Sequence, residues 1–158
     1  MLIVGCGDVG RKIAARAQQQ GQAVHCLVRS AQSAAQLSDL GLKAEAVDLD
    51  HQSPAWSARL DQRQIFYLAP PPATGTSDPR MRRFLATLPP AESRRMVYIS
   101  TTGVYGNCHG ERVDERRPVD PQVDRARRRH GAEQHLRAWR EAGQGEVIIL
   151  RVAGIYGP

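Results

Sequence analysis

The sequence contains almost no lysine and few aromatic residues. All but two of its 22 basic residues are arginine, the exceptions being Lys12 and Lys43, and only 5% of its 158 residues are aromatic. Nucleic-acid-binding domains usually mix lysine and arginine on one face, with aromatic side chains between them. Here the arginines are spread along the chain, so a general compositional bias explains the net charge of +6 better than a polyanion-binding surface. Nucleic-acid binding is therefore a weak alternative.

Long apolar runs and a regular set of cysteines are also missing. No apolar run approaches the roughly 18 residues of a membrane span, and the first residues lack the basic and apolar segments of a secretory signal. Cys6, Cys26 and Cys108 form no even, closely spaced framework. The sequence thus predicts a cytoplasmic protein with reduced thiols, no membrane partner and one domain over residues 1–158.

Short apolar runs alternate with longer amphipathic segments. The runs predict strands at Leu2–Val4, Ala23–Val28, Lys43–Val47, Ile65–Leu68, Met96–Ile99 and Val147–Leu150. The segments between them predict helices at Val9–Gln20, Ala31–Leu40, Pro54–Leu60, Asp78–Leu88 and Asp124–Ala142. This alternation indicates a parallel sheet with right-handed crossovers. The wholly apolar run 147–150 favours a strand buried on both faces, and the polar stretch Gly106–Asp124 predicts a surface loop.

A glycine-rich turn follows the first predicted strand. Gly5-Cys6-Gly7-Asp8-Val9-Gly10 has the pattern G-x-G-x-x-G, which is weak alone but gains weight from the strand before it and the helix after it. In such turns the first glycine permits the tight turn, the second lets the backbone approach a pyrophosphate, and the third lets helix and strand pack closely. The helix N-terminus adds free N–H groups. The turn predicts a dinucleotide site, and an ordinary strand-to-helix turn is the alternative.

The residues after the second predicted strand favour one coenzyme. NAD sites usually place Asp or Glu there, about 20 residues past the glycines, on the ribose 2′-hydroxyl. This chain has Arg29 and Ser30 instead. A guanidinium offers a planar fork of donors that suits a phosphate, so the pair predicts NADP(H), with NAD as the alternative. The competing interpretation is that Arg29 is one more solvated arginine.

Four further segments of the chain form a recognisable set: residues 47–50 (VDLD), 67–70 (YLAP), 99–106 (ISTTGVYG) and 150–158 (LRVAGIYGP). In this order and spacing they resemble the NAD-dependent epimerase/dehydratase family of extended short-chain dehydrogenases/reductases. The resemblance implies a Rossmann-like α/β fold, a doubly wound parallel sheet of order 3-2-1-4-5-6 with helices on both faces. It implies cofactor contacts from Asp48, Leu49, Ala69 and Pro70. It also implies a substrate-binding lobe, which we expect to be absent from this chain.

The sequence departs from the family where the catalysts should lie. The resemblance implies a Ser or Thr and a Tyr-x-x-x-Lys pair, whose tyrosine is the acid/base and whose lysine binds the ribose. Thr101 matches the Ser/Thr position, but Arg125 and Arg129 stand at the tyrosine and lysine positions. Arg129 can still hold ribose hydroxyls as a cation. Arg125 cannot transfer a proton, because a guanidinium stays protonated.

Substitutes for the missing tyrosine are few. Tyr105 resembles the tyrosine of the family's VYG segment on the substrate side, and it is a candidate proton donor or a packing residue. His130 lies on the same helix but points about 100° away from Arg129. Cys108 and His109 are adjacent without a second pair of ligands, so no metal site is predicted.

Three functions remain open from the sequence. The first is an NADP(H)-binding oxidoreductase or epimerase-type protein with an atypical active site, candidate catalytic residues Thr101 and Tyr105, and an unknown small-molecule substrate. The second is a non-catalytic NADP(H)-binding redox sensor or regulatory protein. The third is nucleic-acid binding by the arginines. The helices that usually form the family's dimer leave a homodimer open.

Overall fold

Six parallel strands form the sheet of the computed structural model, which describes residues 1–55, 63–89 and 93–156. The strands are β1 (Leu2–Val4), β2 (His25–Val28), β3 (Lys43–Ala46), β4 (Gln64–Tyr67), β5 (Arg95–Thr101) and β6 (Glu146–Val152). The helices are α1 (Asp8–Gln19), α2 (Ala31–Asp39), α3 (Pro79–Thr87) and α4 (Asp124–Glu141). The spatial order β3-β2-β1-β4-β5-β6 confirms the expected Rossmann-like sheet.

The predicted elements agree with the structure to within a few residues. β5 and β6 extend further than the apolar runs that predicted them, and a 3-10 helix over Thr102–Tyr105 was not predicted. The predicted helix Pro54–Leu60 falls mostly on residues 56–60, which lie outside the described residues. Helix starts follow their capping residues, since the Ser30 side chain accepts the Ser33 N–H at 3.2 Å and the Asp78 side chain accepts the Met81 N–H at 3.2 Å.

Successive side chains along the strands point to opposite faces of the sheet and form a separate core on each face. Leu2 and Val4 point toward α3 and α4, while Ile3 and its neighbour Cys26 point toward α1 and α2. On the first face Met81 and Phe84 of α3 are fully buried, and each such side chain contributes about 1.5–3 kcal/mol. The helices therefore cover both faces, as expected for a doubly wound sheet.

One expectation about the last strand is wrong. Val147 and Ile149 pack on the α3/α4 core, but Ile148 and Leu150 point to the opposite face and remain 43% and 45% exposed. On that face α1 and α2 lie over the β1–β3 half of the sheet, so in the described residues they leave this part of β6 uncovered. An apolar run alone does not specify which faces receive a covering helix.

None of the helices in the described ranges is both long enough and apolar enough to cross a membrane.

Candidate functional site

The predicted dinucleotide residues meet at the carboxyl ends of the strands. Gly5 follows β1, Arg29 follows β2, Asp48 lies just past β3 and Ala69 just past β4. β1 lies between β2 and β4, so the sheet order reverses beside the glycine turn. Ligands of open α/β sheets bind at this kind of switch point.

The three glycines of the turn meet different constraints. Gly5 has φ +85°, and a Cβ there would lie 2.5 Å from the Ala69 backbone nitrogen, so the turn touches the end of β4. A Cβ on Gly7 would meet open space, which leaves this face of the turn free for a ligand. A Cβ on Gly10 would lie 3.3 Å from Ile3 Cγ2, so this glycine sets the close packing of α1 on β1.

Two adjoining cavities open beside the turn. The larger, of about 300 Å³, lies against the turn and the start of α2, where Cys6, Arg11 and Ser33 line it. The smaller, of about 200 Å³, lies between the ends of β2, β3 and β4. Its lining includes Val28, Asp48, Leu49, Ala69, Pro70 and Arg80. Both cavities share Gly5 and Arg29, and the predicted cofactor residues that line one or both are Gly5, Gly7, Arg29, Asp48, Leu49, Ala69 and Pro70. The predicted residues that line neither are Asp8, Val9, Gly10, Ser30 and Arg129.

Arg29 lies between two carboxylates. Its Nε is 3.4 Å from Asp48 Oδ2 and its Nη2 is 3.6 Å from Asp50 Oδ2, while its side chain remains 67% exposed. Asp50 in turn accepts two hydrogen bonds from Arg80, at 2.6 and 2.5 Å. These bonds hold the pKa of Asp50 below its usual value. The guanidinium of Arg29 is thus oriented by acids but still open to a ligand.

Other residues that were predicted to contact the cofactor also make contacts within the protein. The Ser30 hydroxyl caps α2 through Ser33, which orients it at the start of the helix. Asp8 is exposed in the first turn of α1 and pairs with Lys12 at 3.5 Å. Val9 is half-buried in the same turn. Pro70 lies at the cavity wall, where its carbonyl accepts a hydrogen bond from Arg80 at 2.8 Å.

The predicted reaction residues cluster at the ends of β5 and β6. Thr101 Oγ1 accepts the Gly103 N–H at 3.2 Å, so this side chain begins the 3-10 helix. Tyr105 ends that helix and is buried, with the Arg151 guanidinium 4.7 Å above its ring. Of the two candidates, Tyr105 therefore lies next to a fixed cation.

Arg129 reaches from α4 to the end of β5. Its Nη1 donates to the Ile99 carbonyl at 2.7 Å and to the Tyr98 hydroxyl at 3.3 Å. Burial raises the pKa of Tyr98 to about 12, so this phenol stays protonated at neutral pH. Arg125, one turn earlier on α4, is exposed.

The sequence did not predict a buried polar network behind these residues. The Ser100 hydroxyl donates to Glu133 Oε1 at 2.6 Å, and Arg151 donates to both carboxylate oxygens of Glu133, at 3.1 and 2.7 Å. Glu133 is fully buried. Arg137, one turn along α4, also lies 3.5 Å from this carboxylate, but Arg151 and Ser100 are 18 and 33 residues away from Glu133 in the chain and left no local signal.

No group of three or more His, Cys, Asp or Glu side chains in the part of the chain that the structure describes is arranged to hold an ion.

This fold and turn define a Rossmann-like α/β protein. The model of the NAD dependent epimerase/dehydratase family matches residues 1–158. The chain belongs to that family. No curated protein matches it significantly.

Solved structures with the same fold include three informative neighbours. One is a functionally unknown conserved protein from Silicibacter pomeroyi (26% identity, TM-score 0.74, covering 99% of this chain and 53% of that one). Another is a short-chain dehydrogenase/reductase superfamily protein from Agrobacterium tumefaciens with bound NAD (22% identity, TM-score 0.71, covering 95% of this chain and 48% of that one). A third is a UDP-glucuronic acid 4-epimerase from Bacillus cereus in complex with NAD (18% identity, TM-score 0.79, covering 99% of this chain and 57% of that one). The chain spans about half the length of these proteins.

Proposed function

We propose that residues 1–158 form the coenzyme-binding domain of an NADP(H)-dependent oxidoreductase or epimerase-type enzyme with an atypical active site. The observation that carries the proposal is Arg29, an exposed guanidinium that lines both cavities where NAD sites usually have a carboxylate. The bound NAD named for two structural neighbours supports a nicotinamide dinucleotide in general. The choice of NADP(H) rests on Arg29.

Different residues of the site would bind different parts of such a coenzyme. The N–H groups of Gly5 and Gly7 bond to carbonyls of the protein, so the N–H groups in the first turn of α1, which no side chain caps, are the ones that suit a pyrophosphate. Arg29 would exchange its long contacts with Asp48 and Asp50 for a 2′-phosphate, with Ser30 beside it. The smaller cavity, with Asp48 and Leu49 in its wall, suits the adenine.

The reacting end of the coenzyme would lie toward β5. NADP(H), when bound, supplies or accepts a hydride. Ala69 and Pro70 would line its path, and Arg129 would hold the ribose hydroxyls as the cation in the lysine position. Thr101 would bind the substrate, and Tyr105 would donate a proton from beneath the Arg151 guanidinium. The substrate is a small molecule of unknown identity, and we place the protein in the cytoplasm, with a homodimer as its proposed assembly.

Calorimetric titration with NADPH and NADH tests this proposal. We expect the reduced protein to bind NADPH more tightly than NADH at two salt concentrations, because only NADPH carries the phosphate that Arg29 would bind. Equal affinity, or a preference for NADH, would overturn the assignment of NADP(H). Affinity for neither nucleotide would overturn the function itself.

A second candidate, a non-catalytic NADP(H) sensor, is favoured by the arginines at positions 125 and 129. A sensor would bind NADPH but transfer no hydride. Incubation of the chain with NADPH and a panel of carbonyl compounds, followed by the absorbance of the reduced coenzyme, separates the two. Loss of that absorbance supports the enzyme, whereas tight binding without loss supports the sensor.

A further inference from the structure

Two cysteines lie together beneath the phosphate turn. Cys6 occupies the turn between Gly5 and Gly7, and Cys26 lies in β2. Both are free thiols in the same buried core between the sheet and α1 and α2. The Gly5 N–H donates to the Leu27 carbonyl at 2.8 Å, which fixes the turn beside β2. A Cβ on Gly10 would lie 3.3 Å from both Cys6 Sγ and Ile3 Cγ2, and Ile3 is the register neighbour of Cys26, so the two thiols occupy the same part of this core.

The two thiols differ in access. Cys26 is fully buried, whereas Cys6 is 5% exposed and lines the larger cavity. A small molecule that enters this cavity therefore meets Cys6 first. A dinucleotide in the same cavity would cover it.

We propose that Cys6 and Cys26 are a redox modification site, in which a hydroperoxide converts the two thiols to a disulfide that closes the dinucleotide site. The closure rests on the proposed function, since it requires that the turn binds a dinucleotide. The formation of the disulfide does not depend on the proposed function.

The local electrostatics assign the two roles. The neighbouring Cys26 thiol lowers the pKa of Cys6, and the Arg11 guanidinium lowers it further, against the effect of burial. The neighbouring Cys6 thiol and burial raise the pKa of Cys26. The thiolate is the reactive form of cysteine, so Cys6 is the sulfur that attacks and Cys26 is the thiol that resolves.

The chemistry balances in two steps. The Cys6 thiolate attacks one oxygen of the hydroperoxide, the O–O bond breaks, and the product is a sulfenic acid plus an alcohol, or water from hydrogen peroxide. The Cys26 thiol then displaces the hydroxyl group from Cys6, which forms the S–S bond and releases water. The peroxide is reduced and the two thiols are oxidised by two electrons.

The disulfide changes the shape of the turn. A disulfide brings its sulfurs to about 2 Å, closer than any hydrogen-bonded pair of thiols. Cys26 is held inside a paired strand, so the adjustment falls on Cys6 and on the neighbouring backbone of Gly5 and Gly7. The N–H groups that would bind the pyrophosphate move with it. Loss of one hydrogen bond to a charged group weakens binding by about tenfold or more.

The test treats the reduced chain with hydrogen peroxide, maps its peptides by mass spectrometry and titrates it with NADPH before and after. We expect a Cys6–Cys26 linkage, an affinity for NADPH that falls by about tenfold or more, and recovery with a thiol reductant. Prior addition of NADP⁺ should slow the linkage. A peptide map without this linkage would overturn the proposal, as would an oxidised chain that binds NADPH as tightly as the reduced one.

Two variants assign the roles of the thiols. In Cys26→Ala the oxidised Cys6 should persist as a sulfenic acid that dimedone captures, whereas Cys108→Ala, outside the pair, should behave like the wild type. Dimedone on Cys26 instead of Cys6 in the wild type would overturn the order of events. If the reduced chain binds no nucleotide, the proposed function fails, but the peptide map of the wild type still decides the thiol pair.

Discussion

Glu133 and Arg151 form a buried ion pair that joins the middle of α4 to the end of β6. Their closest N–O distance is 2.7 Å, and the carboxylate also accepts the hydroxyl of Ser100 on β5. The guanidinium of Arg151 also lies over the ring of Tyr105. The pair therefore fixes α4, β5 and β6 relative to one another just behind the proposed reaction residues.

Glu133→Gln is expected to destabilise the chain by about 3 kcal/mol, because it leaves the buried Arg151 guanidinium without a carboxylate. The free energy of urea unfolding measures the loss. Glu146→Gln is the matched control, since Glu146 pairs with Arg95 at 2.8 Å on the surface, and its loss should stay within about 0.5 kcal/mol. Similar losses in both variants would contradict the role assigned to the buried pair.

Gly5→Ala and Gly7→Ala should separate folding from ligand binding. Alanine at position 5 adds a Cβ 2.5 Å from the Ala69 nitrogen at a positive φ, so we expect a loss of about 3 kcal/mol or more. Alanine at position 7 meets open space and should cost about 1 kcal/mol or less, yet its methyl group would block a pyrophosphate. Thermal unfolding and NADPH titration of both variants check this. A stable Gly5→Ala chain, or normal NADPH affinity in Gly7→Ala, would count against it.

Arg29→Asp should weaken NADPH binding by about a hundredfold and NADH binding only slightly, because the carboxylate removes the phosphate contacts and repels the phosphate. Calorimetry with both nucleotides gives the ratio. Arg82→Asp is the matched control, because it makes the same change in net charge at an exposed position on α3, away from the site. It should alter neither affinity. Equal losses for the two nucleotides in Arg29→Asp would remove the basis for NADP(H).

Asp78→Asn should stabilise the chain at pH 7 by about 1 kcal/mol, a typical single-site effect. Burial raises the pKa of Asp78, and its Oδ2 has no hydrogen-bond partner among the residues that the structure describes. The folded state thus prefers the protonated acid, so wild-type stability falls as the pH rises from the unfolded pKa through the folded one. Asparagine keeps the helix cap without this cost.

The gain from Asp78→Asn should therefore vanish at low pH, where both side chains are neutral. Unfolding experiments at several pH values test this directly. Asp124→Asn, in the exposed first turn of α4, is the control and should slightly destabilise, because a first-turn acid interacts favourably with the helix dipole. A gain from Asp78→Asn that persists unchanged at low pH would contradict the explanation.

The sequence predicted the sheet well because its signals are local. Short, mostly apolar runs marked all six strands, and in the structure the side chains of Ser30 and Asp78 cap α2 and α3. Local signals do not report which face of a strand is covered. For this reason Ile148 and Leu150, predicted to be buried, are half-exposed.

The candidate site was predictable only in part, for a related reason. The glycine turn is a continuous motif, so its residues and their order could be identified directly. Asp50 and Arg80 are 30 residues apart and meet only because β3 and α3 converge on one edge. Cys6 and Cys26 likewise meet only because β1 pairs in parallel with β2. Such contacts depend on register and packing, which the pattern of residue types does not specify.

The scarcity of lysine has a practical consequence for anyone who wishes to watch this protein bind a ligand. Apart from the α-amino group, amine-reactive dyes can attach only at Lys12 and Lys43, and both side chains are exposed. Lys12 lies one helical turn past Asp8, next to the phosphate turn, whereas Lys43 begins the edge strand β3. A fluorophore on the first would report arrival of a nucleotide, and one on the second would serve as an internal reference.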